Sequence, residues 1–125
     1  MSLIPETLKY TKEHEWAKIE GNVVTIGITD FAQSSLGDIV FVELPAPGAT
    51  LTKGKTFGVV ESIKSVSDLY APISGKVIAR NDNVISTPES LNQDAYQSWM
   101  LKIEMQNPAD TAELLSAADY TKICH

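Results

Sequence analysis

One lysine in the middle of the chain has the surroundings of a residue that carries chemistry. Lys64 lies in the run Gly58-Val-Val-Glu-Ser-Ile-Lys-Ser-Val-Ser-Asp-Leu-Tyr-Ala-Pro72, where an apolar stretch enters a polar bend and a second stretch leaves it. Such a pattern favours two short strands joined at a tip. A lysine there points into solvent, where a modifying enzyme and partner proteins can reach it. The sequence therefore suggests a carrier with a prosthetic group on Lys64, the alternative being an ordinary solvated lysine.

Other residues of catalytic type lack the partners that catalysis needs. His14 stands between two glutamates, but no second histidine or cysteine is near it in sequence, so we expect a solvated or hydrogen-bonded imidazole and no metal site. Ser34, Ser35 and Ser65 have no general base at a recognisable spacing. Nucleophile-elbow and phosphate-loop motifs do not occur. We therefore predict no catalytic residues and no enzyme activity.

The elements that must position Lys64 are mostly short strands. Two β-rich runs flank Gly21-Asn22, which predicts a tight hairpin. Apolar runs bounded by glycine and proline predict the other strands, and short strands separated by turns indicate two packed sheets or a barrel. The predicted strands cover residues 16–20, 23–28, 39–44, 56–62, 68–71, 76–79 and 98–104.

Helices are predicted only as short additions. Thr29 or Asp30 can cap a helix over residues 31–36, which Gly37 can close in the left-handed conformation. Residues 80–92 are polar and predict a loop with a short helical turn. Near the C-terminus, Asn107 is a good N-cap, and helical segments are expected through residues 108–115 and from 116 onward.

Composition limits the possible functions. The 125 residues are the length of one domain, and 43% are apolar, which is enough for a core. A formal net charge of −6 argues against nucleic acid as a partner. No stretch approaches the about 20 apolar residues of a membrane span. The opening residues lack the features of a targeting leader, and the single Cys124 fits a reducing compartment.

Taken together, the motifs resemble the glycine cleavage system H protein family, whose members are lipoyl carriers. The likeness extends over nearly the whole chain, beyond what a lipoyl or biotinyl domain alone would share. The matching stretches are Tyr10–Trp16, Ile26–Gln33, Leu36–Pro45, Lys53–Lys64 and Ala71–Gly75, followed by Leu91-Asn92, Trp99, Asn107-Pro108 and Tyr120.

The resemblance implies a mainly β barrel-sandwich hybrid of two antiparallel sheets with short helices, including a C-terminal helical segment. Residues 1–125 would form one lipoyl-carrier domain with N-terminal and C-terminal extensions, acting as a monomer. Lys64 matches the position that carries lipoate as an amide. The arm would take an aminomethyl group from the pyridoxal-phosphate-dependent glycine decarboxylase, the P protein. It would pass that group to the folate-dependent aminomethyltransferase, the T protein.

Further partners, site residues and location follow from the same resemblance. Dihydrolipoamide dehydrogenase, the L protein, would reoxidise the arm, and lipoate-attaching enzymes would install it. Glu15 and Asp68 match acidic positions of a cleft that shelters the loaded arm, the alternative being plain surface residues. Glu61 would be either a surface charge at the end of a strand or, as the resemblance favours, a recognition mark for the attaching enzyme. Tyr70 would either pack or line the arm's groove. The expected location is the cytoplasm of a bacterium, or the mitochondrial matrix for a mature eukaryotic chain.

Three further functions stay open. The chain could be a related relay that donates lipoyl groups to other enzymes, which also requires Lys64. A biotin carrier is disfavoured because such carriers prefer methionines beside the lysine, whereas Ile63 and Ser65 flank it here. The last possibility is an unmodified β-sandwich that only binds a partner.

Overall fold

The computed structural model describes residues 3–124 and shows nine strands in two antiparallel sheets. Met1 and Ser2, on which the expectation of no leader partly rests, lie outside the described residues, as does His125. The strands are β1 Lys9–Tyr10, β2 Glu15–Glu20, β3 Val23–Ile28, β4 Ile39–Glu43, β5 Thr50–Leu51, β6 Thr56–Ser62, β7 Val66–Tyr70, β8 Gly75–Arg80 and β9 Leu101–Met105.

The larger sheet has the order β1-β2-β3-β9-β8-β5, and the smaller has the order β4-β6-β7. Every strand pair is antiparallel. Apolar side chains from both sheets form one core, which includes the fully buried Val24, Val60, Val77 and Ile103. Each such side chain stabilises the fold by about 1.5–3 kcal/mol through burial. The predicted mainly β architecture of two antiparallel sheets is confirmed.

The predicted hairpin between β2 and β3 is confirmed, with Glu20 paired to Val23 across the turn. Gly21 has φ 63°, a backbone conformation that favours glycine. The hairpin that bears Lys64 also forms, because β6 and β7 pair from Glu61 and Val66 beside the tip to Thr56 and Tyr70 at the other end. Strand β7 begins two residues earlier than the sequence predicted, since pairing with β6 extends it to the tip.

Five short helical elements complete the fold: α1 Asp30–Leu36, α2 Asp82–Ser86, α3 Ser90–Gln93, a 3₁₀ helix Pro108–Glu113 and α4 Ala117–Thr121. The side chain of Thr29 caps α1 by accepting from the amide of Ala32, as predicted. Gly37 ends that helix with φ 81° and ψ −154°, a conformation open to glycine but different from the left-handed helical one expected. The side chain of Asn107 caps the 3₁₀ helix.

Several expectations from the sequence were wrong in detail. Residues 80–92 contain α2 and most of α3 where a loop with one helical turn was expected. Strand β9 begins at Leu101, three residues later than predicted. The two-residue strands β1 and β5 were missed, because partners distant in sequence define such short pairings. Within residues 3–124, no helix has both the length and the apolar character needed to cross a membrane.

A second apolar cluster joins the two ends of the described chain. Leu8, Tyr10 and Trp16 pack there with Tyr120 of α4. The rings of Tyr10 and Tyr120 stack with centroids 4.7 Å apart. The backbone of Tyr10 also exchanges two hydrogen bonds with Leu115, so α4 and its approach are fixed against β1.

Candidate functional site

Lys64 occupies the tip between β6 and β7, where hydrogen bonds of Ser62 hold the backbone of the bend. The amide of Ser62 donates to the carbonyl oxygen of Ser65 at 2.8 Å, which closes the bend. The hydroxyl of Ser62 accepts from the amides of Lys64 and Ser65 at 3.3 and 3.1 Å. Because each of these bonds lies within four residues, the tip is rigid while the lysine side chain projects from it.

The surface around the tip combines exposed apolar and acidic side chains. Val66 is 67% exposed and Ile63 is 71% exposed. Strand register places Glu61 opposite Val66 on one side and opposite Phe41 on the other. Asp68 and Tyr70 follow Val66 at alternate positions of β7, so they share its outer face. This outer face of the smaller sheet is therefore apolar with carboxylates interspersed.

A cleft of about 380 Å³ lies beside the opposite end of β7. Strand β7 rises by about 3.3 Å per residue, so Tyr70 lies about 13 Å from Val66 at the tip. The walls come from four parts of the chain: the turn leading into β2, the β5–β6 turn, the end of β7 with the residues after it, and the end of the 3₁₀ helix with the residues after it. Its lining includes Thr11, Glu13, Glu15, Lys53, Tyr70 and Leu115.

Glu15 is the acid of the cleft, and its side chain is almost entirely withdrawn from water. The residue is only 3% exposed. Its carboxylate accepts from the amide of Tyr70 at 2.9 Å and from the hydroxyl of Thr11 at 3.3 Å. Burial raises the pKa of Glu15 to about 8, although these two hydrogen bonds act in the opposite direction. Near neutral pH the group can therefore hold a proton or pair with a cation that enters the cleft.

The turn that leads into Glu15 is held in place by a hydrogen bond to Tyr120 of α4. His14 has φ 68°, which is uncommon for a residue with a side chain. Its Nδ1 lies 2.7 Å from the hydroxyl oxygen of Tyr120, which also lies 2.7 Å from Oγ1 of Thr29. Burial lowers the pKa of His14, which favours the neutral ring. The hydrogen-bonded imidazole predicted from the sequence is confirmed, and its partner holds the turn in place.

Charged contacts fasten the opposite wall of the cleft. Lys53 forms an ion pair with Glu113, which ends the 3₁₀ helix. The amide of Ser74 donates to the carboxylate of Asp110 in the same helix at 3.0 Å. The β5–β6 turn and the C-terminal segment are therefore linked at the rim.

Comparison with known proteins decides the family. The family model described as Glycine cleavage H-protein matches residues 8–125. The chain belongs to the glycine cleavage H-protein family. A protein from Koribacter versatilis named glycine cleavage system H protein is 62% identical over 118 residues, 94% of this chain and 91% of that protein. Another of that name, from Carboxydothermus hydrogenoformans, is 56% identical over 124 residues, 98% of this chain and 95% of that protein.

Structural comparison agrees with the sequence comparison. The crystal structure of a glycine cleavage system H protein from Mycobacterium marinum matches with a TM-score of 0.88 and 38% sequence identity. The match covers 95% of this chain and 97% of that chain. The resemblance drawn from the sequence motifs and the barrel-sandwich hybrid fold that it implied are both confirmed.

In this member of the H-protein family, the predicted site residues divide between two places. Glu15 and Tyr70 meet at the cleft, joined by the hydrogen bond between them. Asp68 is exposed on the outer face of β7 and is not among the described residues that line the cleft. Lys64 and Glu61 lie at or beside the tip. The roles of all five in carrying a group remain predictions.

The structure also adds residues that the sequence did not point to. The hydroxyl of Thr11 donates a hydrogen bond to the Glu15 carboxylate, and the ion pair of Lys53 and Glu113 borders the cleft. None of them stands in a motif with a chemical meaning of its own. Thr11 and Lys53 lie within stretches that resemble the family and Glu113 does not, and the fold alone brings residues 11–15, 53 and 113 together.

Proposed function

We propose that this chain is the lipoyl carrier protein of the glycine cleavage system, with lipoate attached as an amide to Lys64. The chain would receive the aminomethyl group of glycine at the glycine decarboxylase (P protein) and present it to the aminomethyltransferase (T protein). Dihydrolipoamide dehydrogenase (L protein) would complete the cycle. The observation that carries the proposal is an exposed lysine on a braced hairpin tip in a chain of the H-protein family. The chain would be a carrier and would catalyse nothing itself.

The residues present fit a lipoyl arm. The side chain of Lys64 is exposed, so an attaching enzyme can approach its amine. Lipoate supplies a cyclic disulfide that nucleophiles open readily, because its small ring cannot reach the preferred dihedral angle of about 90°. The cleft about 13 Å along β7 offers a sheltered place for the end of a long arm.

The hairpin tip and the lipoyl arm would have different mechanical roles, one fixed and the other mobile. Ser62 keeps the backbone of the bend fixed, while the lipoyl arm beyond the lysine stem would be free to range. Amide formation removes the positive charge of the amine, which leaves the arm neutral and compatible with an apolar surface. Tethering raises the effective concentration of the cargo at each partner enzyme.

Glu15 is suited to protect a cargo that ends in an amine. A carboxylate withdrawn from water can pair with an ammonium group in a charge-assisted hydrogen bond. The walls of the cleft would limit access of the water that decomposes the cargo. Tyr70 contributes its backbone amide to Glu15 and lies at the cleft. This contact supports a role for Glu15 and Tyr70 in sheltering the loaded arm.

Glu61 and Asp68 face outward near the tip, where they would contribute to recognition by partner enzymes and not to sheltering the loaded arm. Their carboxylates lie among the exposed apolar residues of the smaller sheet's outer face. Partner surfaces that are basic and apolar would complement this face. We assign Glu61 to recognition by the lipoate-attaching enzyme, and we assign Asp68 to the same face and not to the cleft.

The decisive experiment is the intact mass of protein made with lipoate and a lipoate ligase. The wild-type protein should gain the mass of one lipoyl group, and peptide mapping should place it within residues 56–76. The variant Lys64→Arg should gain none, because arginine keeps the charge but cannot form this amide. The matched control Lys55→Arg changes another exposed lysine and should be modified normally. A wild-type protein that stays unmodified would favour a domain that only binds a partner.

The same preparation distinguishes the carrier from a biotin carrier and from a lipoyl relay. A biotin adduct would differ in mass from a lipoyl adduct. A relay that only donates lipoyl groups would accept lipoate on Lys64 but would not support exchange of a one-carbon unit from glycine with the decarboxylase present. The carrier proposal requires that exchange, and it requires its loss in Lys64→Arg.

We further infer that residues 1–125 form one carrier domain with N-terminal and C-terminal extensions, acting as a monomer. The extensions correspond to β1 and the segment from the 3₁₀ helix to α4, which contact each other at Tyr10 and Leu115. The compared relatives at 56% and 62% identity are bacterial, which supports a cytoplasmic location. A mature eukaryotic chain would instead act in the mitochondrial matrix.

A further inference from the structure

The side chain of Asn92 in α3 grips the backbone just before β4. Its Nδ2 donates to the carbonyl oxygen of Gly37 at 2.8 Å and to Oε1 of Gln33 at 3.0 Å. Its Oδ1 accepts from the amide of Ile39 at 2.9 Å. The two backbone bonds hold a three-residue segment, Gly37 to Ile39, from both ends. We refer to this segment as the platform.

The platform touches the Lys64 hairpin in two ways. The carbonyl oxygen of Asp38 accepts from the amide of Ile63 at 3.0 Å, which braces the tip from outside. Gly37 faces the lysine stem, since a Cβ atom built on Gly37 would lie 3.3 Å from Cε of Lys64 and 3.8 Å from its Nζ. The lysine stem therefore crosses the platform at its glycine.

Only glycine suits this crossing. Its φ of 81° and ψ of −154° are strained for any residue with a side chain, and an added methyl would also crowd the stem. A lysine side chain loses rotamer entropy when it is fixed. A flat support beneath the stem reduces the number of directions in which the amine can point before it reacts.

We propose that Asn92 is a positioning residue for acylation of Lys64, holding the platform on which the stem rests and so directing the amine toward the attaching enzyme. The inference rests on the proposed function, because it concerns the step that installs the arm. In that step the neutral Nζ forms an amide with the acyl carbon of lipoyl adenylate. The bond between that acyl carbon and the phosphate oxygen breaks, AMP leaves, and the nitrogen releases one proton to solvent. Misplacing a nucleophile by about 1 Å can cost up to about a hundredfold in rate.

The test uses the full chain and follows both the backbone and the reaction. Hydrogen–deuterium exchange of the Ile63 backbone amide is measured on unmodified protein. The kcat and KM for acylation are measured by intact mass with a lipoate ligase, lipoate and ATP. Asn92→Ala should speed exchange at Ile63 and lower kcat by about tenfold or more, with KM for the carrier unchanged. Gln93→Ala, at the neighbouring exposed position of α3, should match the wild type in both.

Further variants keep the result interpretable. Asn92→Asp retains an acceptor for the Ile39 amide but turns a carboxylate oxygen toward the carbonyl oxygen of Gly37 and Oε1 of Gln33, so its kcat should fall at least as far as that of Asn92→Ala. Rates are compared at temperatures where each variant is folded. A wild-type kcat in Asn92→Ala despite faster exchange at Ile63, or a loss of kcat equal to the unfolded fraction, would overturn the inference. If the wild-type protein itself is not acylated, the proposed function fails first, and the two failures are thereby distinguished.

Discussion

Replacing Glu15 with glutamine should remove a pH dependence of stability that burial of this carboxyl creates. Glutamine has nearly the same shape, and its Oε1 can still accept from the amide of Tyr70, but it does not ionise. The carboxyl has an ordinary pKa of 4.5, and burial raises the pKa to about 8 in the folded protein. The folded state therefore binds more protons than the unfolded state between these two values.

The sign and size of the effect follow from that difference. The contribution of Glu15 to stability is fully present below pH 4.5 and is lost as the pH rises through 8. Each unit of pKa difference corresponds to about 1.4 kcal/mol, so the total loss is at most about 5 kcal/mol. Between pH 5 and pH 8 the wild-type protein should lose about 3.5 kcal/mol relative to Glu15→Gln.

The assay is urea unfolding of both proteins at half-unit steps from pH 5 to pH 8. Titrating groups that the two proteins share cancel in the difference between their free energies of unfolding. A carbon-detected NMR titration of the Glu15 carboxyl gives its pKa directly and should have a midpoint near 8. Parallel stability curves, or a midpoint near 4.5, would show that water reaches this carboxyl and would refute the proposed environment.

Two further substitutions test the packing around the site, each by chemical denaturation. Gly75→Ala should destabilise the protein by about 3 kcal/mol or more, because the added methyl would overlap the backbone carbonyl oxygen of Glu104 on the paired strand β9. A loss below about 0.5 kcal/mol would mean that the two strands separate easily there. Tyr120→Phe removes the hydroxyl shared by His14 and Thr29, and should cost about 1–3 kcal/mol. Tyr70→Phe, at a partly exposed ring, is its matched control and should change stability by less than about 0.5 kcal/mol.

Local chemistry made much of the fold predictable. Gly21-Asn22 between two β-rich runs predicted the first hairpin, and Thr29 was one of the two caps predicted for α1, because turn and cap preferences act over a few residues. The same applies to the tip at Lys64, which an apolar run, a polar bend and a second run define. Residue types close in sequence were sufficient in each case.

The candidate site was less predictable because its parts are distant in sequence. Glutamates are usually exposed, so nothing in the sequence itself shows that Glu15 is buried beneath Tyr70. The grip of Asn92 on Gly37 joins residues 55 positions apart, and it depends on how α3 packs against α1. Asp68 was expected near Glu15, but it lies two residues nearer the tip of β7 than Tyr70 and is not among the described residues that line the cleft. Strand order and side-chain direction decide these contacts, and a single sequence specifies neither directly.

The separation of the tip from the cleft bears on how the protein matures on the ribosome. All residues of the bend around Lys64 and of the platform beneath it have been synthesised by about residue 93, and β9, which joins β3 to β8, follows at Leu101–Met105. The cleft wall still awaits Glu113 and Leu115, and its turn awaits Tyr120. The residues of the acceptor are therefore made before those of the shelter. A chain cut short after residue 105 would contain every strand of both sheets but would lack these three residues of the cleft and its turn.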